Sequence, residues 1–528
     1  MAHSAPQYKS SEKGLYFWAI LASLFLCSVL NAIEVTALST ALPSIVDELH
    51  GDDFVWVGTA YPLASTAFLP MSGGIAEIFG RRPAMLMALG LFTLGSALCG
   101  AARNMEWLIA ARVVQGLGGG GMQSLSSIII SDLVSLQERG TYNAVLGLGW
   151  SFATAVGPLV GGALANQGQW RWLFYLNLPI CAVTIAVVVL FLRLPIPPGT
   201  IQSKLRRMDW IGNFIVISST TSAVLGLTWG GVVYPWSSAR VLVPLILGLA
   251  GLLVFGAYEA LYAANPILPV SILSNVSSVS GYVQNFLNSF GILCLSYYLP
   301  VYFQGCKDAS LIKSGVNELG LSVTCAVMIV ASGVSVTATK QYRPQIWFAW
   351  VLYLIGVGVL SRIDSSTSLS EGVGILVLPG AALGILSATL YFPVLAPLDV
   401  MQNAYALSFF MFCRSFAGIW GVAVGGTILQ NELEKRLSPE ISTALPGDRA
   451  ANLYSLLPQI RFLEEPLKSV LQVAFAGSLR VIWLTLTGIL GIGFLVSLLM
   501  QDIPLQNVRD EKWALSTTRL EDTEKNEL

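Results

Sequence analysis

The sequence predicts an all-α, polytopic membrane protein of about fourteen spans, and three observations carry that expectation. Of its 528 residues, 54% are hydrophobic and 11% charged, against roughly 25% charged in a soluble domain, so there are too few charges to cover a water-facing surface of this size. Apolar stretches of about 20 residues, the length that crosses a ~30 Å hydrocarbon core, recur along the chain between short polar breaks. Basic residues alternate with those stretches. With the amino terminus inside, inner segments hold Lys9, Lys13, Arg81, Arg82, Arg139, Arg193, Lys204, Arg206, Arg207, Lys340, Arg343, Arg509, Lys512, Arg519 and Lys525, while short outer loops hold only Arg103, Arg171, Arg240, Lys307, Lys313 and Arg362. Short basic loops resist translocation, which supports an even span count and two cytoplasmic termini.

In chain order, a polar tail (1–15) precedes an apolar run without a small-residue cleavage pattern, so the run reads as a retained first span and not a removed signal. Spans are expected at 16–38, 54–76, 84–102, 107–132, 140–164 and 172–193, forming an amino-terminal bundle over 16–193. The segment 194–262 holds a basic loop with Lys204, Arg206 and Arg207 and two more spans, 210–230 and 241–262. A carboxyl-terminal bundle over 263–500 follows, with spans at 278–302, 314–337, 345–361, 372–395, 404–430 and 477–500 and a tail at 501–528. Its longest break, 431–476, contains Pro439, Pro446, Pro458 and Pro466 and reads as an outer loop with room for a short amphipathic helix. The sequon at Asn275 falls on the inner side, where no glycan is expected.

Several function classes recede on the same evidence. A net charge of -1 with scattered Lys and Arg offers no nucleic-acid footprint. The seven cysteines form no CxxC pair and the only histidines are His3 and His50, so neither a zinc site nor a disulfide framework is expected. No nucleophile paired with histidine stands within a span, so an intramembrane enzyme is not expected. No GxxxxGK[ST] run occurs, which agrees with a carrier driven by an ion gradient without ATP or any other cofactor.

The motifs point to transport. The loop after the second span reads Gly73-Gly-Ile-Ala-Glu77-Ile-Phe-Gly80-Arg81-Arg82 and resembles the signature between spans 2 and 3 of the major facilitator superfamily, with Glu77 and Ile78 departing from the usual acid and base. Glycine permits the turn, while Glu77, Arg81 and Arg82, with Arg139 at the next inner loop, form a candidate conformational latch; the alternative is that the arginines only set topology. In the fourth span Arg112-Val-Val-Gln115-Gly116 resembles a second superfamily signature. An unpaired arginine there costs on the order of 3 kcal/mol, so a partner is expected. Glu34 in the first span is the candidate, within a stretch that resembles the first-span motif of the fourteen-span drug:proton antiporters. Two readings stay open for Glu34 and Arg112: a proton carrier facing a central cavity, or a static ion pair.

The run Gly116-Leu-Gly118-Gly-Gly-Gly121 satisfies GxGxxG, but inside a span with no preceding strand close helix packing accounts for it better than a nucleotide site. In the fifth span Gly157-Pro158-Leu-Val-Gly161-Gly162 resembles the antiporter signature GxxxGPxxGG, with Ala153 in place of the first glycine. Small residues and a helix-bending proline suit a hinge or seal between two halves, or plain packing. The resemblance extends through Trp170-Arg-Trp-Leu-Phe-Tyr-Leu-Asn177, Tyr297-Tyr-Leu-Pro300 and Phe412-Cys-Arg414. It implies two six-helix bundles with two extra central spans, rocking about a midplane site, and proton-coupled efflux of a small organic molecule by a monomer in the bilayer, at the plasma membrane or an internal one such as the vacuole. Proton-coupled nutrient uptake or vacuolar import, and a non-transporting sensor, are the alternatives. Trp150, Asn285, Phe286, Asn288, Phe290, Tyr297 and Tyr298 are candidate substrate contacts, as aromatics with amides suit a partly apolar molecule. Arg414 is a second buried charge, either a substrate contact or a structural brace for the second half.

Overall fold

The computed structural model describes residues 14–49, 54–231, 233–437, 457–505 and Trp513. A backbone that leaves water can satisfy its N–H and C=O groups within a single helix, and helices carry nearly all of the described chain. The membrane-length helices are α1 (Leu15–Leu49), α2 (Phe54–Phe79), α3 (Arg81–Gly100), α4 (Met105–Leu133), α5 (Arg139–Asn166), α6 (Trp172–Phe191), α7 (Trp210–Trp229), α8 (Ala239–Leu261), α9 (Val276–Lys307), α10 (Leu311–Thr339), α11 (Arg343–Leu360), α12 (Leu369–Leu395), α13 (Asn403–Arg436) and α14 (Leu467–Ser497). Among the described residues, twelve helices are long and apolar enough to cross a membrane. The other two are α2 and α4, of 26 and 29 residues, which stand where the second and fourth spans are predicted. Pro62 and Pro70 in α2, and the glycine run with Glu106, Arg112 and Asp132 in α4, dilute their apolar content.

Several boundaries move outward from their predicted places. The first span runs on through Pro43 to Leu49, where Glu48 ties its end to Arg171 and the Trp170 indole. The break expected at 431–476 shrinks at both ends, since the polar side chains of 431–436 continue α13 through i,i+3 and i,i+4 pairs of Glu432 with Lys435 and Arg436. Within that break the four-residue helix Leu457–Ile460 is the helical element among the described residues, and 438–456 lie outside them. The tails 1–13 and 514–528, and 506–512, also lie outside.

Packing repeats between the two halves. In the first half α1 packs on α5, α2 and α3 on α4, and α1 and α3 on α6; the second half repeats each pairing as α9 on α13, α10 and α11 on α12, and α9 and α11 on α14. Across the middle, the second helix of each half meets the fifth of the other, α2 with α13 and α10 with α5. The pair α7 and α8 packs mainly on itself, with α7 leaning on α2 and α13. Ile246, Leu247 and Leu253 of α8 stay largely exposed, which is stable against hydrocarbon and not against water. The end of the bundle that carries residues 14 and 501–505 is called the terminal face below, and the opposite end the distal face.

Candidate functional site

Helices that cross at an angle leave a space where their side chains are short. Between the halves lies a cavity of about 230 Å³, lined by Ser28 and Asn31 of α1, Gln123 of α4, Asn143 and Trp150 of α5, Ser296 of α9, Ser322 of α10, Ser387 and Tyr391 of α12 and Arg414 of α13. On its terminal side the halves close. Gly140 of α5 and Gly333 of α10 meet so tightly that a Cβ on Gly140 would stand 2.7 Å from the Gly333 carbonyl oxygen. The hydroxyls of Thr141 and Thr337 share a hydrogen bond of 3.2 Å across the same seam. On the other seam Thr66 of α2 and Ser415 of α13 are 2.6 Å apart.

One turn distal of Asn31, Glu34 forms an ion pair with Arg112, both fully enclosed. A charge in such surroundings persists only when its remaining hydrogen-bonding capacity is filled. Asn177 Nδ2 donates to the second Glu34 oxygen at 2.8 Å. Arg112 also donates to the Val57 carbonyl at 3.1 Å and to Gln115 Oε1 at 2.9 Å, and Gln115 Nε2 donates to Ser96 Oγ at 2.9 Å. The guanidinium lies over the Tyr61 ring at 4.8 Å, and the Tyr61 hydroxyl donates to Asn31 Oδ1 at 2.6 Å. Because Asn31 lines the cavity, a short polar chain of Tyr61 and Asn31 leads from the buried pair to the cavity wall. Glu34 itself stands behind that wall and does not line the cavity, where one of the two readings of the sequence would have it; the ion pair common to both is present.

At the terminal face Gly80 adopts φ +99°, a conformation open to glycine at little cost, and turns the chain from α2 into α3. The turn leaves Arg81 buried between Glu77, at 2.7 Å, and Asp132 at the end of α4, at 2.9 Å. The Trp513 ring covers its guanidinium at 3.6 Å. Two members predicted for this latch take other partners. Arg82 donates to the Val189 carbonyl at 2.7 Å on the exposed side. Arg139 donates to the carbonyls of Ser131 and Val134, at 2.7 and 3.3 Å, and so caps the carboxyl end of α4.

The small residues of α5 have unequal roles. A side chain on Gly157 or Gly161 would collide with Thr36, Ala37 or Thr40 of α1, whereas Gly162 faces open space. Pro158 lies within the helix, its side chain outside the described residues. Gly116, Gly118 and Gly120 press α4 against Tyr61, Phe92 and Ser65, so the GxGxxG run is a packing device.

Of the proposed substrate contacts, Trp150 and Arg414 line the cavity and the α9 residues do not. A helix turns about 100° per residue, so α9 offers Ile292 and Ser296 to the cavity and its other side chains elsewhere. Asn285 donates to the Phe410 carbonyl at 2.8 Å where α13 closes over it, and Tyr298 donates to the Val422 carbonyl at 2.5 Å. Phe286 packs with Phe412 and Phe416, Asn288 and Phe290 are buried, and Tyr297 is 51% exposed on the outer surface. Sequence reasoning missed Asp132, Ser96, Tyr61, Gln123 and Asn143, and gave no individual role to Gln115 and Asn177 within the motifs that contain them. The signal that marks them is a polar side chain well inside an apolar span.

Comparison with known proteins agrees with this architecture. Residues 24–422 match the family described as the Major Facilitator Superfamily. The chain belongs to this superfamily. It is therefore a membrane transporter and not an enzyme. Among relatives of this superfamily, the chain is 37% identical over 522 residues to the efflux pump FUS6 of Gibberella moniliformis, covering 97% of this chain and 92% of that one. It is 36% identical over 512 residues to the MFS-type efflux pump LUC4 of a Fusarium species, covering 96% and 91%. The fold is shared with the crystal structure of the human organic anion transporter MFSD10 (TETRAN), with a TM-score of 0.59 at 15% identity, over 91% of this chain and 99% of that one.

Proposed function

We propose that the protein exports a small organic molecule in exchange for protons, by alternating access of the central cavity. The observation that carries this reading is the enclosed pair of Glu34 and Arg112 beside the cavity, joined to it by Tyr61 and Asn31. A carboxylate that trades its arginine partner for a proton changes the charge of the α1–α4 interface. That couples proton loading to the packing of the first half, without any cofactor. Export is supported by two relatives named efflux pumps over nearly their whole length. In this reading all fourteen helices cross the bilayer of the plasma membrane, and the terminal face, with Arg81, Arg82, Arg139, Arg193, Lys340 and Arg343 at its helix ends, is cytoplasmic. A cavity enclosed by a single chain suits a monomer.

The test is proton movement by purified protein in liposomes with an imposed pH gradient, for wild type and Glu34→Gln. Substrate-dependent proton release in wild type, abolished in the variant while substrate binding persists, is expected. Coupled flux that survives Glu34→Gln would reduce the pair to a structural brace.

A further inference from the structure

We infer that the central cavity takes an organic anion, a molecule with a carboxylate or similar oxyanion that pairs with Arg414; this rests on the transporter reading above.

The arginines buried in the first half each hold protein partners, although one nitrogen of Arg139 is left without one among the described residues. Arg81 holds Glu77 and Asp132, Arg112 holds Glu34, and Arg139 holds two backbone carbonyls. Arg414 differs. Among the described residues no hydrogen bond or ion pair reaches its guanidinium, and it lines the cavity instead. No Asp, Glu, Lys or His shares that lining, so the cavity carries one formal positive charge and no counter-charge. Arg414 stands eleven residues into α13, about 16 Å along a helix of 1.5 Å per residue, and so lies too deep to reach the lipid phosphates. A cation there is unfavourable until an anion arrives.

The rest of the lining fits such a guest. Ser296, Ser322 and Ser387 place hydroxyl donors on three separate helices of the same lining, while Leu383, Phe410 and Ile329 supply apolar wall. A fork of guanidinium N–H donors matches a planar carboxylate, and hydroxyls complete its hydrogen bonds. A lipophilic cation would meet the opposite: an uncompensated like charge within a small volume.

The experiment is calorimetric titration of the purified full-length protein with 2-naphthoate and with its uncharged methyl ester, for wild type, Arg414→Gln and Arg414→Lys. The acid is expected to bind wild type at least about tenfold tighter than the ester, since a desolvated charge pair outweighs a lost hydrogen bond. That ratio is expected to fall to about one in Arg414→Gln and to survive in Arg414→Lys, a pattern that a purely structural arginine does not produce. Equal binding of acid and ester by wild type, no measurable acid binding, or an unchanged ratio in Arg414→Gln would each overturn the inference. The wild-type comparison stands even where a variant fails to fold. Acid preference without pH-driven flux would keep the anion site and remove the antiport reading, whereas flux without acid preference would do the reverse.

Discussion

Arg81 illustrates how much a single buried charge depends on its surroundings. It was legible in the sequence as part of a loop signature, and so was its neighbour Glu77 four residues earlier, across the Gly80 turn. Asp132 was not, because it lies 51 residues further along the chain and meets Arg81 only once α4 packs beside α2 and α3. Removing one member of a buried pair leaves the other charge uncompensated and costs about 3 kcal/mol or more. Asp132→Ala is therefore expected to lower the thermal midpoint of the purified protein clearly, and Glu77→Gln to lower it less, as Glu77 is partly accessible and Asp132 would remain. Equal midpoints for Asp132→Ala and wild type would mean that the Trp513 stack and Glu77 hold Arg81 unaided.

At the scale of elements, the positions of spans follow from apolar run length, while the rotation of each helix about its axis does not. Trp150, named as a substrate contact for its aromatic character, lies on the face of α5 that lines the cavity. The α9 residues were misplaced because an aromatic-rich helix reads the same from every side. The seam between α5 and α10 gives an element-scale prediction. With Thr141 and Thr337 hydroxyls 3.2 Å apart, cysteines at both positions lie within the reach of a disulfide. Thr141→Cys with Thr337→Cys is expected to cross-link on oxidation, stop transport by locking the terminal seam, and recover with reductant, while each single variant is unaffected. Cross-linking that leaves flux intact would mean that this seam does not open during the cycle.

For the whole molecule, the cross-pairing of second and fifth helices between halves makes two equivalent seams, α2 with α13 and α5 with α10, about which one half can rock against the other. The energetic drive follows from the charge carried. One proton is worth roughly 1.4 kcal/mol per pH unit and roughly 2.3 kcal/mol per 100 mV. Export of a monoanion against entry of one proton shifts two positive charges inward, so the electrical share doubles. In liposomes loaded with 2-naphthoate, an interior-negative potassium diffusion potential is expected to accelerate its exit more than that of the methyl ester. Equal acceleration of the two would exclude a charged substrate in the transported form.

The sequence by itself determined the class of molecule. Composition, run length and the side bias of Lys and Arg specify an all-helical membrane chain, because the bilayer admits few other solutions to the hydrogen-bonding of a buried backbone. It also exposed the residues that are costly in hydrocarbon, Glu34, Arg112 and Arg414, since an ionisable group there must have a partner or a purpose. The tertiary structure alone decided which partner each one has. Glu34 and Arg112 lie 78 residues apart and meet where α1 and α4 cross, Arg81 finds Asp132 across another crossing, and Arg414 finds the cavity. Those outcomes depend on helix rotation and crossing, which are set by close packing of small residues between helices distant in the chain and leave no periodic trace in the sequence.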